Sequence, residues 1–317
     1  MNKKTSLTVA GLSIGGGKKE NFFFCLLEYF EHSQRWFLSG LHQVREEESK
    51  DSDEIISSWV NEYELEHLIV DFPLSRPVCE TCELSCPGVQ KCHNPVVTTV
   101  RNMMEKLLDE DTQLIQTNPK KYEQERVEDN LVHYSRNVLD KEPAHHILSK
   151  SFKRKLKSGF LPYWNRPIDF WVWQKYYDQL LTLFKISYDS FSNVSMIVLF
   201  KFKYLLRHFP ASLKMLEGNK YICLIELYKS GIIEKKHIEA LNSLDQQVLG
   251  RLEILRNIEK KLNVFIYEHD VDLIIKNSRA FDSFLLALSG QRYLLQQTVR
   301  LEAWTRPEEN QFIVPVF

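Results

Sequence analysis

The sequence has little that would place the protein on a charged polymer or in a membrane. Its 41 Lys and Arg stand against 42 Asp and Glu, a formal net charge of −1. There is no global field to attract nucleic acid or anionic lipid, so such a partner would have to meet a local patch. No apolar run approaches the roughly 20 uninterrupted residues of a membrane span. The longest candidate, VSMIVLFKFKYLL, is broken by Lys201 and Lys203. The opening stretch MNKKTSLTVAGLSIGGG lacks the continuous apolar segment and small-residue cleavage site of a secretory signal, and there is no internal repeat or low-complexity tract. These absences predict a soluble, cytoplasmic protein without a membrane partner. The sequence carries no signature of an oligomeric state.

With 317 residues and 44% hydrophobic content, the chain can bury a substantial core. LTVAGLSIG, NFFFCLLEYF and RWFLSGLHQV alternate, and glycine or polar turns separate them, which predicts three strands in hairpin order. DEIISSWVNEYELE has helical spacing and feeds the apolar strand HLIVDF, so an α/β sheet with a crossover is expected. VREEESKDSDE reads as an acidic, solvated connection. Gly15, Gly16, Gly17 and Lys18 read as a hairpin turn, because they lack phosphate-loop spacing and precede a strand. The pattern turns helical from about residue 99 to 218, predicting an insertion between a first half over 1–98 and a second over 219–317. In the second half KYICLIELY is expected to be a strand, followed by a helical region with apolar positions from Ile238 to Leu255. A final helix is capped by Ser278, and ENQFIVPVF supplies a short edge strand.

Four of the six cysteines lie in one loop, PVCETCELSCPGVQKCHN. Cys79, Cys82, Cys86 and Cys92 follow a C-x2-C-x3-C-x5-C spacing within 79–93. That loop can wrap four thiolates around one tetrahedral ion, with Pro77, Pro87 and Gly88 supplying turns. Structural zinc is the first expectation. Thiolate-only coordination also suits an iron–sulfur cluster, and an unmetallated loop stays open. His93 reads as an ordinary loop histidine.

Three acids stand out: Asp71 at the end of HLIVDF, Glu226 in KYICLIELY and Asp282 early in the final helix. Each has an ordinary explanation, as turn former, solvent-reaching edge residue and helix N-terminal acid respectively. Between apolar same-face neighbours Ile222 and Leu224, an ionised Glu226 needs a cation or donors.

The three opening strands, the helix, VDFPLSRP, IELY, FDSFLLALSG and the ending ENQFIVP together resemble a family of predicted nucleases of unknown function with a ribonuclease H-like fold. The resemblance covers about Leu7 to Pro95 and Lys220 to Val316. A subset of that family is similar in the cysteine loop and in PYWNRPIDFW. The resemblance implies a mixed sheet with helices, a cysteine-rich metal loop and a large helical insertion. It also implies metal-dependent phosphodiester hydrolysis, with Mg²⁺ or Mn²⁺ held by Asp71, Glu226 and Asp282 as catalytic carboxylates. The family's first strand reads about G-I-D where this chain has Gly11, Leu12 and Ser13. A serine cannot balance two divalent charges, so the expected site is impaired at Ser13. The alternative expectation is a non-catalytic module that binds nucleic acid or protein and keeps the metal loop.

In the insertion, SKSFKRKLKSGFLPYWNRPIDFWVWQKYY sets Lys150, Lys153, Arg154, Lys155 and Lys157 ahead of Tyr163, Trp164, Trp171 and Trp173. Cations neutralise phosphates and exposed rings stack bases, so Lys153, Arg154, Lys155, Trp164 and Arg166 are candidate nucleic-acid contacts. The competing expectation is a solvated basic face followed by aromatic residues packed as core.

Overall fold

A computed structural model describes residues 7–14, 22–44, 52–120, 122, 148, 150–186, 206–305 and 311–317, without the side-chain surroundings of 52, 53, 150 and 151. The glycine turn at 15–18, most of the acidic connection after Val44 and the side chain of Lys150 lie outside the described residues. The protein is α/β, with a six-stranded mixed sheet. Its strands are β1 (Thr8–Ser13), β2 (Phe23–Phe30), β3 (Arg35–Gln43), β4 (His67–Val70), β5 (Lys214–Glu217) and β6 (Val264–Phe265). Nine helices are described: α1 (Ser52–Glu62), α2 (Pro95–Thr117), α3 (Lys150–Ser158), α4 (Pro167–Phe184), α5 (Lys220–Lys229), α6 (Lys235–Leu241), α7 (Gln247–Leu262), α8 (Glu268–Lys276) and α9 (Ser278–Leu294). None is long and apolar enough to cross a membrane.

The strand order is β5-β4-β1-β2-β3-β6. β1, β2 and β3 form the expected antiparallel meander, while β4 and β5 run parallel to β1. Alternation along the strands assigns two faces. Ala10, Leu12, Leu68 and Val70 pack with Ile56 and Val60 of α1. On the other face, the α9 backbone lies directly against Gly11, and Gly290 of α9 sits over Val9 and Ile69. α9 is buried from Ala280 to Arg292, as a helix covering a sheet centre must be.

The chain divides into two compact units. The first comprises Met1–Leu74, Asn193–Arg300 and Gln311–Phe317, and holds the sheet. The second comprises Ser75–Ser192 and Leu301–Asn310. In it, Val78, Val97, Val100, Phe152, Leu156, Phe170 and Trp173 form the core between α2, α3 and α4. The cysteine loop thus belongs with the helical unit, not with the first half over 1–98. Residues 206–218, expected inside the insertion, group with the sheet and supply β5.

Local expectations also need correction. KYICLIELY is helix α5, not a strand; Ile222 to Leu227 are all buried, so burial on every side erases the period that separates strand from helix. Asn219 starts it, accepting the amides of Tyr221 and Ile222 at 2.9 and 3.2 Å, which is the N-cap role of asparagine. The stretch Ile238–Leu255 is two helices, and Leu244 between them is 87% exposed. Asn277, not Ser278, caps α9. The ending forms single bridges, Phe312 with Glu217 and Pro315 with Thr298, instead of an edge strand.

Candidate functional site

Asp71 directly follows β4, and the α9 face of β1 carries Ser13 beyond Gly11. Because glycine has no Cβ at position 11, the helix backbone approaches closely, and the first turns of α9 come down beside the ends of β1 and β4. Ser13 Oγ donates to Asp71 Oδ2 at 2.7 Å, and the Ile14 amide donates to Oδ1 at 3.1 Å. Burial pushes the Asp71 carboxyl above its ordinary value; the two hydrogen bonds oppose that push, Asp282 adds to it and Lys220 lowers it. Ser13 thus bonds Asp71, and Asp282 lies near enough to act on its charge.

Glu226 is not among them. It lies almost two turns along α5, paired with Lys229 at 2.8 Å. The acid in the strand beside β4 is Glu217, register partner of Val70. Register partners share a sheet face, so Glu217 points opposite to Asp71; its carboxylate accepts the Leu74 amide at 3.1 Å and fixes that loop.

The sequence reading missed two cations. Lys220, the first residue of α5, donates its ammonium to Asp282 Oδ2. Arg279 Nη1 donates to the same oxygen at 3.3 Å. Asp282 is 5% exposed. Burial lowers the Lys220 ammonium, but Asp282 and the hydrogen bond outweigh it and hold it above its ordinary value. That stabilisation is complete below the ordinary lysine value and is lost only as pH rises through the raised one, so the ion pair persists across neutral pH. Arg251, with Nε on the Ile275 carbonyl at 2.8 Å, is near enough for Asp282 to act on its charge. The Asn219 cap was the available signal for Lys220, since it fixes the residue after it at a helix start.

A raised Asp71 gives a pH dependence with a definite sign. The folded state holds that proton more tightly than the unfolded state, so the resulting stability is complete below the ordinary carboxylate value and lost as pH rises through the folded one. Asn at 71 is neutral, can accept from Ile14 and can donate to Ser13. Asp71→Asn is expected to be more stable than the wild type near neutral pH, with the gap closing on acidification, in urea melts across that range. A variant less stable at neutral pH would contradict this.

The cysteine loop is shaped by short 3₁₀ turns at Val78–Glu80 and Val89–Lys91. Gly88 has φ 92°, a left-handed conformation that favours glycine. Asn94 caps α2 by accepting from Val96, and Thr98 and Arg101 bond the carbonyls of Cys92, Val89 and Gln90. The Cys79 amide bonds the Pro162 carbonyl at 3.0 Å. Burial, then the neighbouring Cys92, Cys82 and Cys86, push the Cys79 thiol up. Three neighbouring sulfurs thus act on that of Cys79, although among the described residues no group of three or more His, Cys, Asp or Glu forms a ready ligand set. His93 is exposed. By contrast Cys25 and Cys223 are buried, and burial drives Cys223 to about 12. With metal removed by a chelator, an aromatic disulfide reagent should titrate four thiols in the folded protein and two more only on unfolding; six thiols of the folded protein reacting at one rate would contradict this placement.

The insertion candidates divide. Lys153 pairs with Asp111, which is fully buried. Lys155 lies over the Trp173 ring, 5.1 Å from its centroid. Arg166 is 4% exposed and grips Asp169 with Nε and Nη2, the latter at 2.8 Å. Its backbone N–H also bonds Asp169 Oδ2 at 2.6 Å, closing the start of α4. Trp171 and Trp173 are each 1% exposed. Arg166 and both helix tryptophans are therefore structural. Arg154 and Lys157 remain exposed, as do Tyr163 at 56% and Trp164 at 66%. Those rings sit on a turn closed by the Trp164 and Asn165 amides on the Leu161 carbonyl, at 2.8 and 2.7 Å, and tied to the cysteine loop through Pro162. No protein-family profile matches the chain, and neither a curated protein nor a solved structure does.

Proposed function

We propose that the chain is a nucleic-acid-binding protein on a ribonuclease H-like body, which holds single strands without cleaving them. The observation that carries this is the exposed Tyr163 and Trp164 pair on a fixed turn. From Leu148 to Ile168 the segment around it has no Asp or Glu. Burying large rings in a core is the usual use of aromatics, and Trp171 and Trp173 follow it; two neighbouring rings left in water, in a segment whose charged residues are all basic, are suited to stack unpaired bases. The ribonuclease H-like reading is supported by the antiparallel meander continued by two parallel strands, and by a terminal helix whose acid meets the β4 acid.

Hydrolysis by two divalent ions needs several carboxylates free to bridge them. Here the residues are Ser13, Asp71 and Asp282, with Lys220 and Arg279 bonded to the last. This donor set does not fit two Mg²⁺ or Mn²⁺ ions. The cysteine loop does fit zinc by donor type and number. Cys79, Cys82, Cys86 and Cys92 would hold it, and it would contribute stability to a loop with little core of its own. An iron–sulfur cluster in its place would give a brown protein.

The test is fluorescence anisotropy with labelled single-stranded and duplex oligonucleotides. Trp164→Ala is expected to weaken single-strand binding by about 5- to 150-fold, the range of about 1–3 kcal/mol for a lost base stack. Arg154→Ala and Lys157→Ala should each reduce the salt slope by about 1. Equal affinity of Trp164→Ala and wild type would remove the reading. The meeting of Asp71 and Asp282 favours a second reading, residual hydrolysis. Cleavage with Mn²⁺ that disappears in Asp71→Asn would establish it.

A further inference from the structure

Two cations share one oxygen of one buried carboxylate where divalent ions were expected. Lys220 has three N–H donors and Arg279 five, and each gives one hydrogen bond to Asp282. Their side chains are 24% and 30% exposed while that of Asp282 is 7% exposed, so both reach solvent over a carboxylate that does not. Lys220 also acts on the charge of Asp71, and Arg251 is near enough for Asp282 to act on its own. In a two-ion enzyme the metals carry the charge that meets a phosphate; here protein cations stand in that place.

We infer that the cluster of Lys220, Arg279 and Asp282 is a metal-independent site for a phosphate oxyanion. The spare donors of Lys220 and Arg279 take the phosphate oxygens, and Asp282 holds the two cations in position. Charge-assisted hydrogen bonds of this kind are strong and geometrically specific, above all from a guanidinium. The inference extends the nucleic-acid reading to a second site, and it survives or fails separately from the stacking turn.

The experiment is titration calorimetry of the full chain with inorganic phosphate in the presence of a chelator, with Mn²⁺ alone as a parallel arm. Phosphate should bind without metal. Arg279→Gln, which leaves Lys220 on Asp282, should weaken it about tenfold or more; Lys220→Ala should do the same, and its melting temperature shows whether the fold is kept. Asp282→Asn gives the sign that separates the alternatives, because it keeps an acceptor oxygen that positions both cations while removing the charge that competes with phosphate, so it should tighten phosphate, whereas at a metal site it would abolish Mn²⁺ binding. Comparing oligonucleotides with and without a 5′-phosphate identifies the source. Tighter binding of the phosphorylated strand, lost in Arg279→Gln, assigns a strand end; equal binding of both strands with retained phosphate binding assigns a free phosphate compound. No phosphate binding under chelation, phosphate binding that requires Mn²⁺, or weakening in Asp282→Asn would overturn the inference. If Trp164→Ala leaves strand binding unchanged while phosphate still binds, the stacking reading falls and this one stands.

Discussion

Arg166→Ala is expected to lower the unfolding free energy by about 3–5 kcal/mol, the cost of leaving a buried ion without its partner. Asp169 is 1% exposed, and Arg166 meets it through Nε and Nη2 while also reaching Ser75 with Nη1 at 3.3 Å. Removing the guanidinium strands a carboxylate in the core of the helical unit. It also breaks the link to Ser75 and uncovers the start of α4. A double variant, Arg166→Met with Asp169→Leu, removes both charges and should recover much of the loss, since apolar replacement of a buried pair is often neutral. A urea midpoint for Arg166→Ala close to that of the wild type would show that the pair is not the buried anchor described. Retained stability with weakened oligonucleotide binding would return Arg166 to the set of nucleic-acid contacts.

Gly11→Ala is expected to cost about 3 kcal/mol, at the upper end of the overpacking range. A Cβ at 11 would stand 2.2 Å from the Ser283 carbonyl oxygen and 2.5 Å from the Ala287 amide nitrogen. Both are backbone atoms, so no rotamer relieves the clash and α9 must move. That displacement shifts Asp282, next to Ser283, relative to Ser13 and Asp71, so phosphate binding should fall with stability. Gly40→Ala is the control. Its Cβ would come within 2.9 Å of His42 Nε2, a side-chain atom held by Tyr63 Oη at 2.8 Å and not a helix backbone, so the loss should be smaller. Equal stability of the two variants would mean that α9 does not press on β1 as described.

Much of the sheet was legible because its strands alternate and glycine or polar turns part them; β1 to β4 and α1 follow the pattern in their residues. Helix α5 was not, because Ile222 to Leu227 are all buried and a fully buried helix shows no face. That error moved Glu226 into the site and kept Lys220 out of it. Asp71 and Asp282 were legible as acids at a strand end and a helix start, but nothing in the linear order shows that the second neutralises two cations. The tryptophans teach a similar lesson. Trp164 follows Pro162 in a turn and Trp171 sits within α4, so their shared chemistry is put to opposite uses by local backbone shape. The charge of the basic segment was visible, but its allocation was not: Lys153 serves a buried aspartate while Arg154 remains in solvent.

The most direct measurement follows one end-labelled single strand by anisotropy with the full chain, in Mn²⁺ and in chelator, and runs the same samples on a denaturing gel. A salt-sensitive rise, equal in both conditions, with the strand intact throughout, is the result expected of a binding protein whose acidic cluster carries its own cations. A strand that is shortened in Mn²⁺ but not in chelator, or no rise in either, would contradict it.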